Sequence, residues 1–276
     1  MRMHSGKSDM ASVSVPKRTM MSHIETHIKI IGALMMRETV TRYGRQGLGL
    51  LWLIGEPLLF CFGVILMWSL IKPPYEHGIR IAAFVMTGYS CLLLLRHLVA
   101  ANLNALQANV GLLYHRKISV LHIYASRCAL EILSTTLSFI VVYFALVVTE
   151  QMTLPDDPML LYGGWLLLSW IGVGLALCFA GLALRSELFE RIAPLLSYGL
   201  IPLSGVFVMM AWLPPHYRDA IMAVPIVHAV EMVRGGVFGS AVKPYYNLSY
   251  AIAWAAGLTL AGLLLIAPAK KHVDLE

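Results

Sequence analysis

Five stretches of this chain run for about twenty residues, the length a helix needs to cross the hydrocarbon of a bilayer, with almost no charge. They are Leu48 to Ile71, interrupted only by Glu56, Ala129 to Thr149, interrupted only by Glu131, and the uncharged runs Met159 to Leu184, Ile192 to Leu213 and Ser249 to Pro268. A sixth, from Ile81 to about Asn104, carries Arg96 and His97, so its inner end lies near the headgroups or in a polar cavity. Backbone amides in lipid must be satisfied within their own segment, which makes each run a helix. The expected fold class is an all-α membrane protein with six transmembrane helices. Residues 22–276 form one membrane domain behind a disordered cytoplasmic tail, 1–21.

Composition agrees. The 276 residues are 58% hydrophobic and 13% charged, against about 45–50% and 25% in soluble domains. The net charge of +6 follows from topology and calls for no nucleic acid. Sixteen Lys and Arg lie on the side that holds both termini and five on the other, which places both ends in the cytoplasm. The first twenty residues contain no apolar core of signal-peptide length, so an uncleaved N-terminus is expected. Cys61, Cys91, Cys128 and Cys178 fall in or beside apolar runs without metal-ligand spacing, and no metal is expected.

Several chemistries lack their residues. No GxxxxGK[ST] loop is present to cradle nucleotide phosphates, so the chain is not expected to hydrolyse ATP itself. No H-E-x-x-H or paired His/carboxylate motif lies on a span, and the expectation is a permease without catalytic residues or a cofactor of its own. Ion-coupled carriers keep ionisable groups in mid-membrane, and the fourth, fifth and sixth runs have none. What remains is a conduit or scaffold driven by a partner.

Two segments, 22–36 and 214–248, are neither spans nor simple loops. In 22–36, Ser22 and Glu25 fit a capping box, and Ile24, Ile28, Ile31 and Met35 recur at helical spacing, which predicts a helix in the inner interface or packed on protein. Between the second and third runs, in 102–117, Leu103, Leu106, Val110 and Leu113 share a helical face with Asn109 among them, and the stretch ends in His115, Arg116 and Lys117; it also reads as a cytoplasmic continuation of the second span. In 214–248, about fourteen apolar residues carry Pro225, His228 and Glu231, too short and too polar to span, which predicts a re-entrant or interfacial helical pair.

Before the first span, Arg37, Arg42, Tyr43 and Arg45 form a cationic patch suited to lipid phosphate headgroups or another anion, or to simple topological anchoring. Glu56 beside Pro57 is an expensive carboxylate in an apolar turn and should face protein or a polar cavity. Trp52, Trp68, Tyr89, Tyr143, Trp165, Trp170 and Tyr198 offer faces on which sugar rings stack; each alone also reads as an interface-belt or packing residue. Arg96 and Arg127 stand near the inner mouth as counter-charge for an acidic polymer, and Glu131 has the i,i+4 spacing to neutralise Arg127 instead.

From about residue 22 onward the chain resembles the type-2 ABC exporter permeases of capsular polysaccharide. The resemblance rests on Arg37, Glu38, Arg42, Tyr43, Leu48, Gly49, Trp52, Glu56 and Pro57, then on Pro225, His228, Glu231 and Arg234. Val224 departs from the Asn common before that proline. The resemblance implies six spans and a cytoplasmic coupling helix at 102–117 that docks in a separate ATPase, with short outer gate helices around Pro225, His228, Glu231 and Arg234. It further implies a homodimer with two ATPase subunits that bind ATP and Mg, in the bacterial inner membrane. The cargo would be a lipid-linked acidic polysaccharide, handed to periplasmic and outer-membrane export proteins. The spans alone do not separate this from an exporter of O-antigen, teichoic acid or another glycolipid.

Overall fold

The computed structural model describes residues 20–43, 49–113 and 118–268. The chain enters through α1 (Met20–Tyr43) and rises through α2 (Gly49–Ile71). A two-stranded hairpin follows, β1 (Tyr75–Glu76) against β2 (Ile79–Arg80), turned by His77 and Gly78 at positive φ. Helix α3 (Ile81–Leu103) returns, and a 3-10 turn at Gln107–Asn109 and the single turn α4 (Val110–Leu113) lead to α5 (Val120–Val148). Then come α6 (Pro158–Ala183), α7 (Glu187–Leu203), α8 (Pro215–Met222), α9 (Pro225–Phe238) and α10 (Leu248–Ile266). Side-chain caps open four of these helices: Ser119, Asp157, Ser186 and Asn247 each accept a first-turn amide.

Among the described residues, five helices (α2, α3, α5, α6 and α10) are long and apolar enough to cross a membrane, and α8 with α9 forms a pair bent by 111° that counts as a sixth if taken together. Helix α3 is the hub, buried along most of its length against α2, α5, α6, α7 and α9, while α2 and α10 lie outermost and largely exposed. Helix α5 has 29 residues, about 43 Å at 1.5 Å each against some 30 Å of hydrocarbon. It starts nine residues before the expected span, so it is longer than a perpendicular crossing requires.

Helix α7 differs most from expectation. A span over 192–213 was expected, but the helix has 17 residues and ends at Leu203, about 26 Å of rise. Pro194 and Pro202 interrupt its amide ladder, and Gly205 turns the chain at φ 68°. The carbonyls of Gly205, Val206 and Val208, which a continuing helix would offer to later amides, are taken by the side chain of Arg234.

The most extensive helix contact, α6 against α10, depends on missing side chains. A Cβ on Gly181 would lie 2.5 Å from that of Leu265, and one on Gly262 would lie 2.5 Å from that of Leu177. Small residues let the two backbones approach where van der Waals packing drives association in lipid. Gly262→Val should cost about 1–3 kcal/mol through overpacking, read as a lower melting temperature in detergent. Gly257→Val, on the open face of the same helix, should leave it unchanged.

Candidate functional site

The functional residues expected along the chain separate into a cluster between α1 and α5, an inter-span segment and a stripe on α9. Beside α1 a cavity of about 480 Å³ brings together Arg37, Glu38 and Arg42 from α1, Glu56 from α2, His97 from α3, Asn109, and Arg127 and Glu131 from α5. They lie up to 94 residues apart in sequence, between Arg37 and Glu131.

Arg127 and Glu131 do not pair with each other as their i,i+4 spacing suggested. Arg127 Nη2 lies 2.9 Å from Glu38 Oε1, and Arg42 Nη1 lies 2.6 Å from Glu131 Oε1. Arg42 Nε also donates to Glu38 at 3.0 Å, and His97 Nδ1 stands 3.7 Å from the other oxygen of Glu131. The result is two ion pairs crossed between α1 and α5. Burial works against the charge on Arg42, yet Glu131 and Glu38 outweigh it and hold its pKa above the ordinary arginine value. Arg127 spends its second terminal nitrogen on the carbonyl of Ala101, at 2.7 Å. Arg37 donates at 2.7 Å to Asn109 Oδ1, a neutral partner. Among the described residues, Arg37 is thus the cavity arginine without a carboxylate in ion-pair range.

The local reasons are legible on each helix. Glu38 and Arg42 are one turn apart and present their heads to the same side of α1. Leu34 and Thr39 bury α1 against its neighbours, while Ile24, Ile28, Met36 and Val40 stay exposed. Helix α1 begins at Met20, so Ser22 is a helical residue rather than its cap, and Glu25 is held by Lys29 at 2.6 Å. At the start of α5, His122 Nε2 and His27 Nδ1 share a hydrogen bond of 2.7 Å, a second tie between α1 and α5.

Other expected path residues lie elsewhere. Arg96 points away from the cavity and covers the ring of Tyr198 at 4.3 Å. Trp52 is exposed and lines a shallow recess on α2 that shares only Glu56 with the cavity. Tyr89 is half-buried on α3 and packs on the core. Trp68 stacks on Phe207, and Trp170 donates to Thr259 at 3.2 Å. Arg45 lies outside the described residues, as does the side chain of Tyr43.

The inter-span segment is no continuous helix among the described residues. Helix α3 stops at Leu103, and a 3-10 turn and one α-turn follow. Leu103 and Leu106 are buried, Leu106 against Tyr124, Leu177 and Ile266 of this chain's own core, with Leu113 packed at its margin. Val110 is half-buried, Asn109 is buried beneath Arg37, and His115 and Arg116 lie outside the described residues. Among the described residues of the segment, Asn104, Gln107, Ala108 and Gly111 are exposed.

The α9 stripe is a set of three buried clasps on one face of the helix, begun by Pro225 in its first turn. His228 Nε2 bonds the carbonyl of Met222 at 3.0 Å while its Nδ1 accepts from the amide of Asn247, also at 3.0 Å. Glu231 accepts from the amides of Met210 and Tyr245, each at 3.2 Å. Arg234 donates to Gly205, Val206 and Val208, and its guanidinium stacks 4.7 Å from the ring of Phe84. Gly88 on α3 leaves room for this: a Cβ there would lie 2.5 Å from the Val206 oxygen.

His97 and Glu38 were not singled out as path residues. Their signals were present, a histidine in an apolar run and a carboxylate one turn from Arg42.

No family model matches the chain. Individual proteins do, along nearly its whole length. It is 37% identical over 246 residues, 89% of this chain and 93% of the relative, to the capsule polysaccharide export inner-membrane protein CtrC of Neisseria meningitidis serogroup A. It is 32% identical over 258 residues, 94% of this chain and 97% of the relative, to the capsule polysaccharide export inner-membrane protein BexB of Haemophilus influenzae. Over 251 residues, 88% of this chain and 95% of the relative, it is 25% identical to the polysialic acid transport protein KpsM of Escherichia coli. The chain belongs to the family of capsule polysaccharide export inner-membrane proteins.

Proposed function

We propose that this chain is the membrane-spanning subunit of an ATP-driven exporter that moves a lipid-linked acidic capsular polysaccharide out of the cytoplasm. It works as a homodimer with two copies of a separate ATPase, which bind ATP and Mg. The observation that carries the reading is the end-to-end match to capsule export proteins, covering 93% and 97% of two of them. Sixteen of the 21 Lys and Arg on the terminal side support cytoplasmic ends. That orientation puts the crossed ion pairs at the cytoplasmic surface and the α9 clasps at the periplasmic one, where the polymer passes to periplasmic and outer-membrane partners.

In this reading the ATPase touches the exposed rim of the inter-span segment, Gln107, Ala108 and Gly111, since Leu103 and Leu106 are occupied by the chain's own core. Displacement of the segment reaches α1 through Asn109 and Arg37 and reaches α5 through the Glu38–Arg127 and Arg42–Glu131 pairs. Arg37, with a neutral partner, supplies the positive charge that an incoming anionic linkage or lipid phosphate meets.

The test is affinity purification of the tagged chain from its native membrane. It should bring down a nucleotide-binding ATPase, and Gly111→Trp on the exposed rim should abolish that association while the chain stays folded. Recovery without any ATPase, or association unchanged in Gly111→Trp, contradicts the reading. The runner-up, export of O-antigen, teichoic acid or another glycolipid, is separated by the chemical identity of the glycan that copurifies.

A further inference from the structure

Five Lys and Arg lie on the side of the chain away from its termini, where topology keeps basic residues few. Lys72 pairs with Glu76 at 3.3 Å, Arg234 is buried among carbonyls, and Arg80 donates singly to the neutral Gln151 at 3.2 Å. The remaining two converge. Arg218 of α8 stands 4.2 Å from the centre of the Tyr245 ring, and Lys243 stands 5.6 Å from the same centre. Among the described residues neither has a carboxylate in ion-pair range, exposed Asp219 beside Arg218 included. Two positive charges gathered at one ring repel each other. An anion resting against both relieves that repulsion and gains two charge-assisted contacts.

The fold holds the pair in place. Arg218 belongs to α8 and Lys243 to the link into α10, and buried residues of α9 tie down both segments. His228 bonds the Met222 carbonyl at the end of α8 at 3.0 Å and accepts from the Asn247 amide in the link, also at 3.0 Å. Glu231 accepts from the amide of Tyr245 itself at 3.2 Å, and Tyr250 of α10 donates to the carbonyl of Ala223 at 2.7 Å. A site fixed in advance loses little conformational freedom on binding.

The surroundings are those of a surface in water. No residue of α8 is buried, and those it exposes are Pro215, His216, Tyr217, Asp219 and Ala220. A helix bedded among acyl chains presents Leu, Phe or Trp to them instead. Tyr217 and Tyr246, the chain neighbours of Arg218 and Tyr245, are exposed and offer ring faces on which sugar C–H groups stack. Charge, ring and water together describe a saccharide that carries negative charge. We propose that Arg218, Lys243 and Tyr245 form a binding site for an anionic saccharide, a station for the polymer as it leaves the membrane. The ligand class rests on the export reading, whereas the convergence of the two cations does not.

The test titrates tetragalacturonate and the uncharged maltotetraose into the full chain in phosphatidylcholine nanodiscs, with no ATPase present. Tetragalacturonate should bind at least about tenfold more tightly, and the preference should shrink as salt is raised. Arg218→Gln and Lys243→Gln should each weaken its binding about threefold, and the two together should erase the preference while the melting temperature holds. Lys72→Gln, which removes a cation that already has a carboxylate, should leave it unchanged. Equal affinity for both saccharides, a preference that survives the double variant, or an equal loss in Lys72→Gln would overturn the assignment. So would crosslinking of headgroup-labelled phosphatidylglycerol to α8 that the double variant abolishes, which makes this a lipid site. A fall from dimer to monomer in the double variant would overturn it too, by making the patch a contact between copies. With the ATPase absent from the titration, copurification of an ATPase stands or falls separately.

Discussion

Arg234→Met should remove most of the folded chain from the membrane. The substitution keeps an apolar stem but strands the carbonyls of Gly205, Val206 and Val208, which the guanidinium gathers at 1% exposure. Removing one partner from such a buried charged network costs about 3–5 kcal/mol. That is a large share of a typical stability of 5–15 kcal/mol. At roughly 2–4 °C per kcal/mol for a chain of this size, the melting temperature in detergent should fall by about 10 °C. Arg234→Lys should recover only part, because an ammonium cannot spread donors over three carbonyls as a planar fork does. This separates a clasp from a gate: unchanged melting with lost transport would make Arg234 a moving part and contradict the structural role derived from its contacts.

Charge reversal at Glu38 should have the largest effect on transport. Glu38→Arg sets a third guanidinium against Arg42 and Arg127, each now within 3.0 Å of the carboxylate it replaces. Repulsion should push α1 off α5 and reduce export at least about tenfold, equivalent to roughly 1.4 kcal/mol. Adding Arg127→Glu rebuilds the pair in the opposite sense and should restore a measurable fraction. A coupling of about 1–3 kcal/mol between the two positions is the expected cycle value. Export by the double variant no better than by either single one would mean that the pair is not what joins the helices.

The apolar runs read directly from the sequence because lipid leaves the backbone one solution per span, so α3 and α6 begin and end within a residue of the positions hydropathy suggests. What hydropathy could not supply is any contact between distant segments. Helix α7 stops at Leu203 because Arg234, 29 positions beyond Gly205, takes its would-be ladder. Arg127 and Glu131 have local spacing for each other, yet α1 brings Glu38 and Arg42 into partly buried, charge-assisted contacts at 2.9 and 2.6 Å that win over it. The spacing of Leu103 and Leu106 correctly marks an apolar face, but spacing cannot say whether that face meets the chain's own core or a partner's groove. In α9 the stripe His228, Glu231, Arg234 was visible as ionisable residues among apolar ones. Their targets, amides and carbonyls of three different links, carry no sequence signal at all.

The most direct test of the exporter reading is transport itself. Proteoliposomes would hold this chain with the ATPase that copurifies with it, and radiolabelled lipid-linked capsular polymer would be followed across the bilayer. Translocation should require ATP, the ATPase and an intact Glu38–Arg127 pair together. Equal translocation with the ATPase left out would contradict the account.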